Sequence, residues 1–216
     1  MSLIFALVRR DLGLAFRAGS VWLPVVFFLL VATLFPFAVG PDGPLLSRVG
    51  GGVLWMAALL AALLPVDRLV APDRDAGVLD QYAIRGLGDE WIAAAKMLAH
   101  WLSFGPPLML AAIPAGALLR LDGGTLLRLE AGLAIGTPAL AALGLTASAL
   151  TAGLRGGGGA LAGLLMLPLA IPVLIFGAGA LGEIDGGALK LLAAASLLLV
   201  AGAPFAAGAA LRAMRE

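Results

Sequence analysis

The chain alternates long apolar runs with short polar connections. A helix rises about 1.5 Å per residue, so crossing roughly 30 Å of hydrocarbon takes about 20 predominantly apolar residues. Six stretches suit that purpose: 21–39, 49–66, 97–119, 131–154, 160–181 and 191–211, none of which contains Asp, Glu, Lys or Arg. Transmembrane strands would instead read as segments of about ten residues alternating apolar and polar positions. No such alternation occurs, so the pattern predicts an all-α polytopic membrane protein with six transmembrane helices. Prolines inside the runs, such as Pro36, Pro106, Pro107, Pro138, Pro168 and Pro172, are compatible with this because neighbouring helices re-satisfy the freed carbonyls. Gly132, Gly136 and Gly144 predict close helix approach.

Two polar segments carry a pattern of their own. At about 100° per residue, Ser2, Arg9, Arg10, Gly13 and Arg17 gather on one face. Ile4, Phe5, Val8, Leu12 and Ala15 gather on another, which Leu3, Leu7 and Leu14 widen and Asp11 interrupts. Residues 1–20 therefore predict an amphipathic interfacial helix, an elbow lying among the lipid headgroups and broken at Gly19 and Ser20. A plain basic flank is the simpler alternative. The longest polar segment is 67–90, within which 77–84 predicts a short helix ended by Gly86 and Gly88. Val78, Leu79, Tyr82 and Ala83 would share a partly apolar surface that a membrane or a partner must cover.

Composition agrees. Of 216 residues, 62% are hydrophobic and 12% charged, and mean hydropathy is +1.06, against about 45–50% apolar and 25% charged in soluble domains. A single membrane domain spanning 1–216 is expected, with both termini cytoplasmic. Six spans with the amino terminus inside put ten basic residues on that side: Arg9, Arg10, Arg17, Arg68, Arg74, Arg85, Lys96, Arg155, Arg212 and Arg215. Arg48, Arg120, Arg128 and Lys190 fall on the other side with the acidic turn of Glu183 and Asp185, the asymmetry that the positive-inside rule describes. A net charge of +1 gives no sign of nucleic-acid binding.

Candidate chemistry is sparse. With no cysteine and one histidine, His100, neither disulfides nor a metal centre is expected. The glycines at 156–159 lack the Gly-Lys-Ser/Thr ending of a nucleotide-binding loop and read as a turn between spans four and five. Lys96 is long enough to snorkel towards the headgroups, whereas His100, one turn on, reads as a hydrogen-bonded packing residue. Ser103 shares its face but has no partner acid, and no carboxylate pair lies within a span, so no hydrolytic constellation is present. Trp22, Trp55, Trp91 and Trp101 read as interface anchors and core filling.

Several stretches together resemble a known family. Thr33-Leu34-Phe35-Pro36 is one. Asp75-Ala76-Gly77-Val78-Leu79-Asp80-Gln81 followed by Lys96-Met97-Leu98-Ala99-His100-Trp101 is the most specific. Leu133-Ala134-Ile135-Gly136-Thr137-Pro138, Gly153-Leu154-Arg155-Gly156-Gly157 and Leu167-Pro168-Leu169-Ala170-Ile171-Pro172-Val173-Leu174-Ile175-Phe176 complete the set. In order and over the full length, the chain resembles the haem exporter protein B (CcmB) family. It departs at Val78, Asp80 and Tyr82, where the family commonly has Ser or Thr, Glu and Leu.

The resemblance implies the permease subunit of an ABC transporter for cytochrome c maturation in a bacterial inner membrane. It implies two copies per complex, a separate ATP-binding subunit as the site of ATP hydrolysis, and haem-handling membrane partners. Residues 75–84 would be the coupling helix, with Leu79 and Tyr82 as apolar contacts, Asp75 and Asp80 at the rim, and Gly77 and Gln81 within the motif. Haem would be a transported or handled ligand rather than a resident cofactor, with His100 and Trp101 as candidate contacts to haem or a partner. A stand-alone secondary transporter or channel is the rival reading, but it would require an ionisable or broken-helix site near the midplane, and no carboxylate sits there. A membrane enzyme would need the constellation already found missing.

Overall fold

A computed structural model describes residues 3–40, 42–154, 158–182 and 186–215. In order these form α1 (Leu3–Arg17), α2 (Trp22–Val39), α3 (Gly43–Leu63), a 3-10 turn (Val66–Arg68), α4 (Ala71–Asp75), α5 (Val78–Ile84), α6 (Asp89–Leu118), α7 (Gly123–Thr151), α8 (Gly158–Gly179) and α9 (Gly187–Ala213). Among the described residues there is no strand, and six helices are long and apolar enough to cross a membrane. These are α2, α3 with its polar continuation, and α6 to α9.

Local chemistry fixes where the helices begin. Asp42 caps α3 by accepting a hydrogen bond from the Leu45 amide at 3.1 Å, with Pro44 in the first turn. Asp122 does the same for α7, accepting from the Thr125 amide at 3.0 Å and from the Thr125 hydroxyl at 2.7 Å. Such caps satisfy amides that a helix start leaves without partners. Gly19 and Gly77 take the left-handed conformation, at φ of 68° and 65°, and so separate α1 from α2 and α4 from α5. The helices outrun the apolar runs. α6 starts at Asp89, eight residues before the run at 97, and α7 starts at Gly123, eight before the run at 131. Polar residues at a helix end can reach the headgroups or pair within the bundle, so apolar length gives only a lower bound on helix length. Gly158 and Gly159, expected within a turn at 156–159, already belong to α8. Gly156 and Gly157 of that turn lie outside the described residues, as do Arg155, Ser2, Glu183 and Asp185.

The bundle centre is built around Trp55, which is 1% exposed. Its indole from α3 lies in a trough of glycines. A β-carbon on Gly132 or Gly136 of α7 would sit 3.0 or 2.5 Å from the ring, and one on Gly177 of α8 would sit 2.5 Å from it. Phe28, Phe104, Leu108, Leu133 and Leu140 extend this core. A second, smaller cluster lies at one end, where Leu7 and Val8 of α1 join Val70, Leu79, Ile92, Ala207 and Leu211. Trp22 and Trp91, each 60% exposed, stand on the outside, as interface anchors would.

Several described members of the two groups of basic residues lie at opposite ends of the bundle. Arg10 meets Asp73, Arg74 donates to the Ala152 carbonyl at 2.8 Å, and Arg215 pairs with Asp89. This gathers α1, α4, the start of α6 and the ends of α7 and α9 at one pole. At the other pole Arg128 donates to the Leu181 carbonyl at 2.9 Å and Arg120 packs beside Gly43.

Candidate functional site

The residues predicted to carry function all fall towards the first pole, on and beneath the segment joining α3 to α6. This segment is not a solvated connector. After the 3-10 turn it folds into α4 and α5, and α4 is held by Asp73, which is 8% exposed. The Asp73 carboxylate takes two hydrogen bonds from Arg10, at 3.0 and 2.5 Å, and a third from Lys96. Lys96 also donates to Asp11 at 3.1 Å and to the Leu69 carbonyl at 3.1 Å. Arg10 closes the ring by donating to Asp11 at 3.0 Å. Two carboxylates thus face two cations, and all three ammonium protons of Lys96 are engaged. Hydrogen bonding to Asp73 holds the Arg10 guanidinium well above its usual pKa. The node joins α1, α4 and α6, elements far apart in sequence.

This corrects two expectations. Lys96 does not snorkel, because at 4% exposure its head is turned inward to the carboxylates. Asp11, the apparent interruption of the apolar face of α1, is the residue through which α1 reaches Lys96. Along α1, Leu7 and Val8 are buried beside it while Arg9 and Arg17 stay exposed, so the amphipathic division holds.

The predicted coupling residues fall on two sides of α5. Asp75, Asp80 and Gln81 are exposed and Gly77 forms the left-handed entry. Leu79 is instead 5% exposed and belongs to the second core cluster, with Tyr82 packed at its edge. The apolar surface expected to need a cover has one, and it is the chain itself. Leu79 is therefore an anchor rather than an outward contact. Ile84, 85% exposed, is the apolar side chain that α5 does present, and it was not singled out in the sequence. A signal existed: five residues past Leu79, Ile84 lies well over 100° around the helix from it.

His100 and Trp101 are adjacent but differently committed. Trp101 donates its indole N–H to the Thr137 hydroxyl at 3.0 Å, and Thr137 passes the bond on to the Leu133 carbonyl at 2.7 Å. Its polar atom is thus used within the bundle. His100 is 3% exposed and packs on Phe104 with ring centroids 4.8 Å apart. Contrary to expectation it is not hydrogen-bonded, for neither ring nitrogen has a partner. Among the described residues no three His, Asp or Glu side chains converge to hold a metal. His100 also borders a cavity of about 270 Å³ under the elbow, whose wall includes Leu14, Ala18, Arg68, Leu69 and Ser103.

A second ionic contact closes the same pole. Arg212 reaches Glu90 at 2.5 Å while Arg215 pairs with Asp89, tying the end of α9 to the start of α6. With its six long apolar helices joined at one pole by a buried ionic node, the molecule is a multi-pass membrane protein. The model of the CcmB protein family matches residues 2–214, and the chain belongs to that family. It is 51% identical over 213 residues to heme exporter protein B of Paracoccus denitrificans, covering 96% of this chain and 97% of that one. It is 45% identical to the protein of the same name from Bradyrhizobium diazoefficiens, with 98% of each chain covered. The counterpart in Escherichia coli strain K12 is 40% identical, over 97% of this chain and 98% of the other.

Proposed function

We propose that this chain is the permease subunit of an ATP-driven haem exporter in a bacterial inner membrane, working with a separate ATP-binding subunit. The observation that carries the reading is likeness over nearly the whole chain to relatives named heme exporter protein B. Its membrane-spanning architecture and the absence of a nucleotide-binding loop from the sequence are in keeping with it. The pole that bears α1, α4 and α5 is cytoplasmic, as the distribution of basic residues favours. The whole chain acts as one permease domain, two copies of which assemble with two ATPase subunits and with haem-handling membrane partners.

In this reading α5, within the 67–90 coupling loop, is the docking element. Asp75, Asp80, Gln81 and Ile84 form the face offered to the ATPase, with Arg85 at its edge. Leu79 seats the helix in the cluster that contains Leu7 and Ile92. A push on Ile84 is then delivered to α1 and α6 rather than absorbed by a loose loop. Asp73 and Lys96, one step further in, bind the same three elements by charge.

The outward face separates docking from folding. Ile84→Glu with Asp80→Lys should leave the amount of folded permease unchanged and abolish co-purification of a nucleotide-hydrolysing subunit from native membranes. Leu79→Asp should instead lower the amount of folded protein. An Ile84→Glu/Asp80→Lys protein that still retained a stoichiometric ATPase would overturn the docking assignment.

A further inference from the structure

The cavity beneath the elbow has no assigned role, and its chemistry is specific. Four charged residues line it: Asp11, Asp73, Lys96 and Arg68. The first three are closed into the ionic node with Arg10, where formal charges cancel and Lys96 has no proton left to donate. The serine hydroxyls at the wall donate inward as well, Ser20 to the Ala15 carbonyl at 3.0 Å and Ser103 to the His100 carbonyl at 2.7 Å. Arg68 alone keeps its charge uncompensated, its side chain exposed with neither an ion pair nor a hydrogen bond among the described residues. The rest of the wall is largely apolar. Leu14, Ala15 and Ala18 of the elbow helix face Leu69, Pro72 and Ala99.

Such a hollow suits a small anionic head joined to an apolar body. Its location points the same way. One wall is the carboxyl-terminal half of α1, a helix whose exposed face carries Arg9 and Arg17 together with Phe5 and Phe16, the pattern of a helix resting at the headgroup level. An anionic lipid lying beside α1 can place its phosphate at Arg68 and its first methylenes against the apolar wall. Basic residues at this depth attract anionic headgroups, and an arginine can grip a phosphate with two parallel N–H bonds.

We infer that the cavity bounded by α1, the 3-10 turn and α6 is a binding site for the phosphate headgroup of an anionic membrane phospholipid, with Arg68 as its anchor. The occupied site supports the carboxyl-terminal half of the elbow beside α6, further along the helical face that buries Leu7. Lipid would then be a structural ligand of the elbow, distinct from whatever the permease carries.

The test uses the full chain, reconstituted in nanodiscs of phosphatidylglycerol and phosphatidylcholine, extracted in mild detergent and examined by native mass spectrometry. The wild type should retain one phosphatidylglycerol in preference to phosphatidylcholine. Arg68→Glu should lower that occupancy roughly thirtyfold, since reversing the charge changes two charge units at about 1 kcal/mol each near an anionic surface. Arg68→Lys should retain most of it, and Arg9→Glu, on the outer face of α1 and away from the cavity, should retain all of it. Equal retention in wild type and Arg68→Glu overturns the site, as does indifference between the two lipids. Displacement by millimolar inorganic phosphate would make the ligand a free anion and overturn the lipid assignment. Displacement by equimolar hemin would do the same by making the cavity a cargo site.

Discussion

Replacing Lys96 by methionine keeps the length and apolar stem of the side chain and removes only its charge. The ammonium group makes three bonds in the wild type, to Asp73, Asp11 and the Leu69 carbonyl, from a position 4% exposed. Removing one partner of a buried pair costs about 3–5 kcal/mol, chiefly because the other charge stays buried. Here Asp73 keeps both contacts with Arg10 and Asp11 keeps one, at 3.0 Å. Arg10 is itself about one-third exposed at its side chain, so solvent shares in the compensation. The expected loss therefore lies at the lower end, about 3 kcal/mol. Asp73→Asn should cost about 2 kcal/mol, since the amide oxygen can still accept from Lys96 and Arg10 but carries no charge. Because the two side chains touch, the double mutant should be better than additive by about 1–2 kcal/mol. Unfolding of the protein in mixed micelles by increasing dodecyl sulfate, followed by far-ultraviolet circular dichroism, measures all three variants. If Lys96→Met fell within about 1 kcal/mol of wild type and the cycle closed additively, the node would be a surface pairing of little consequence.

Two further outcomes follow from particular contacts. Gly177→Ala would place a β-carbon 2.5 Å from the Trp55 indole and should destabilise the bundle by about 1–3 kcal/mol through overpacking. Gly52→Ala, which meets open space, should be close to neutral in the same unfolding assay; equal losses would contradict the trough. The Asp122 carboxyl is held below its usual range by the Thr125 hydroxyl and amide, so its cap is fully present above the ordinary carboxylate pKa and is lost as pH falls through the lowered one. Hydrogen exchange at the first turn of α7 should accelerate at acid pH beyond its intrinsic rate, and Asp122→Asn should flatten that dependence.

Six spans and an amphipathic elbow were legible because lipid imposes a simple code: apolar length without charge. What the sequence left unread was pairing. Asp11, Asp73 and Lys96 are separated by 85 and 23 residues, and no local pattern says which carboxylate will meet which ammonium. Lys96 taken alone suits snorkelling, and Asp73 taken alone suits a solvated loop. Leu79 and Tyr82 showed an apolar face truly enough, but periodicity identifies a face without naming what covers it. The cover is the second core cluster, to which Leu7 of α1, Ile92 of α6 and Leu211 of α9 also belong. Trp55 and the glycines of α7 were visible separately as core filling and close approach. Their partnership also required Gly177, more than forty residues after Gly132.

The helix that supplies Gly177 sits in the bundle on a narrow footing. α8 turns only a thin stripe inward, with Ala162, Met166, Ala170 and Val173 buried while Leu164, Leu165, Leu169, Ile171 and Ile175 remain open to the outside. α7 carries far more of the common core. In a membrane, where apolar surface gains nothing by leaving lipid, so thin a stripe gives α8 little to hold it until its counterpart is already shaped. That counterpart is the open side of the Trp55 ring, a flat surface that exists only once α3 has laid its indole across the α7 glycines. α8 thus closes over an indole that α3 supplies and the α7 glycines cradle, so a change at Gly177 is felt first at the Trp55 ring. With Trp22, Trp91 and Trp101 replaced, the colour of the remaining indole's emission would report how closely α8 is seated against α3 and α7.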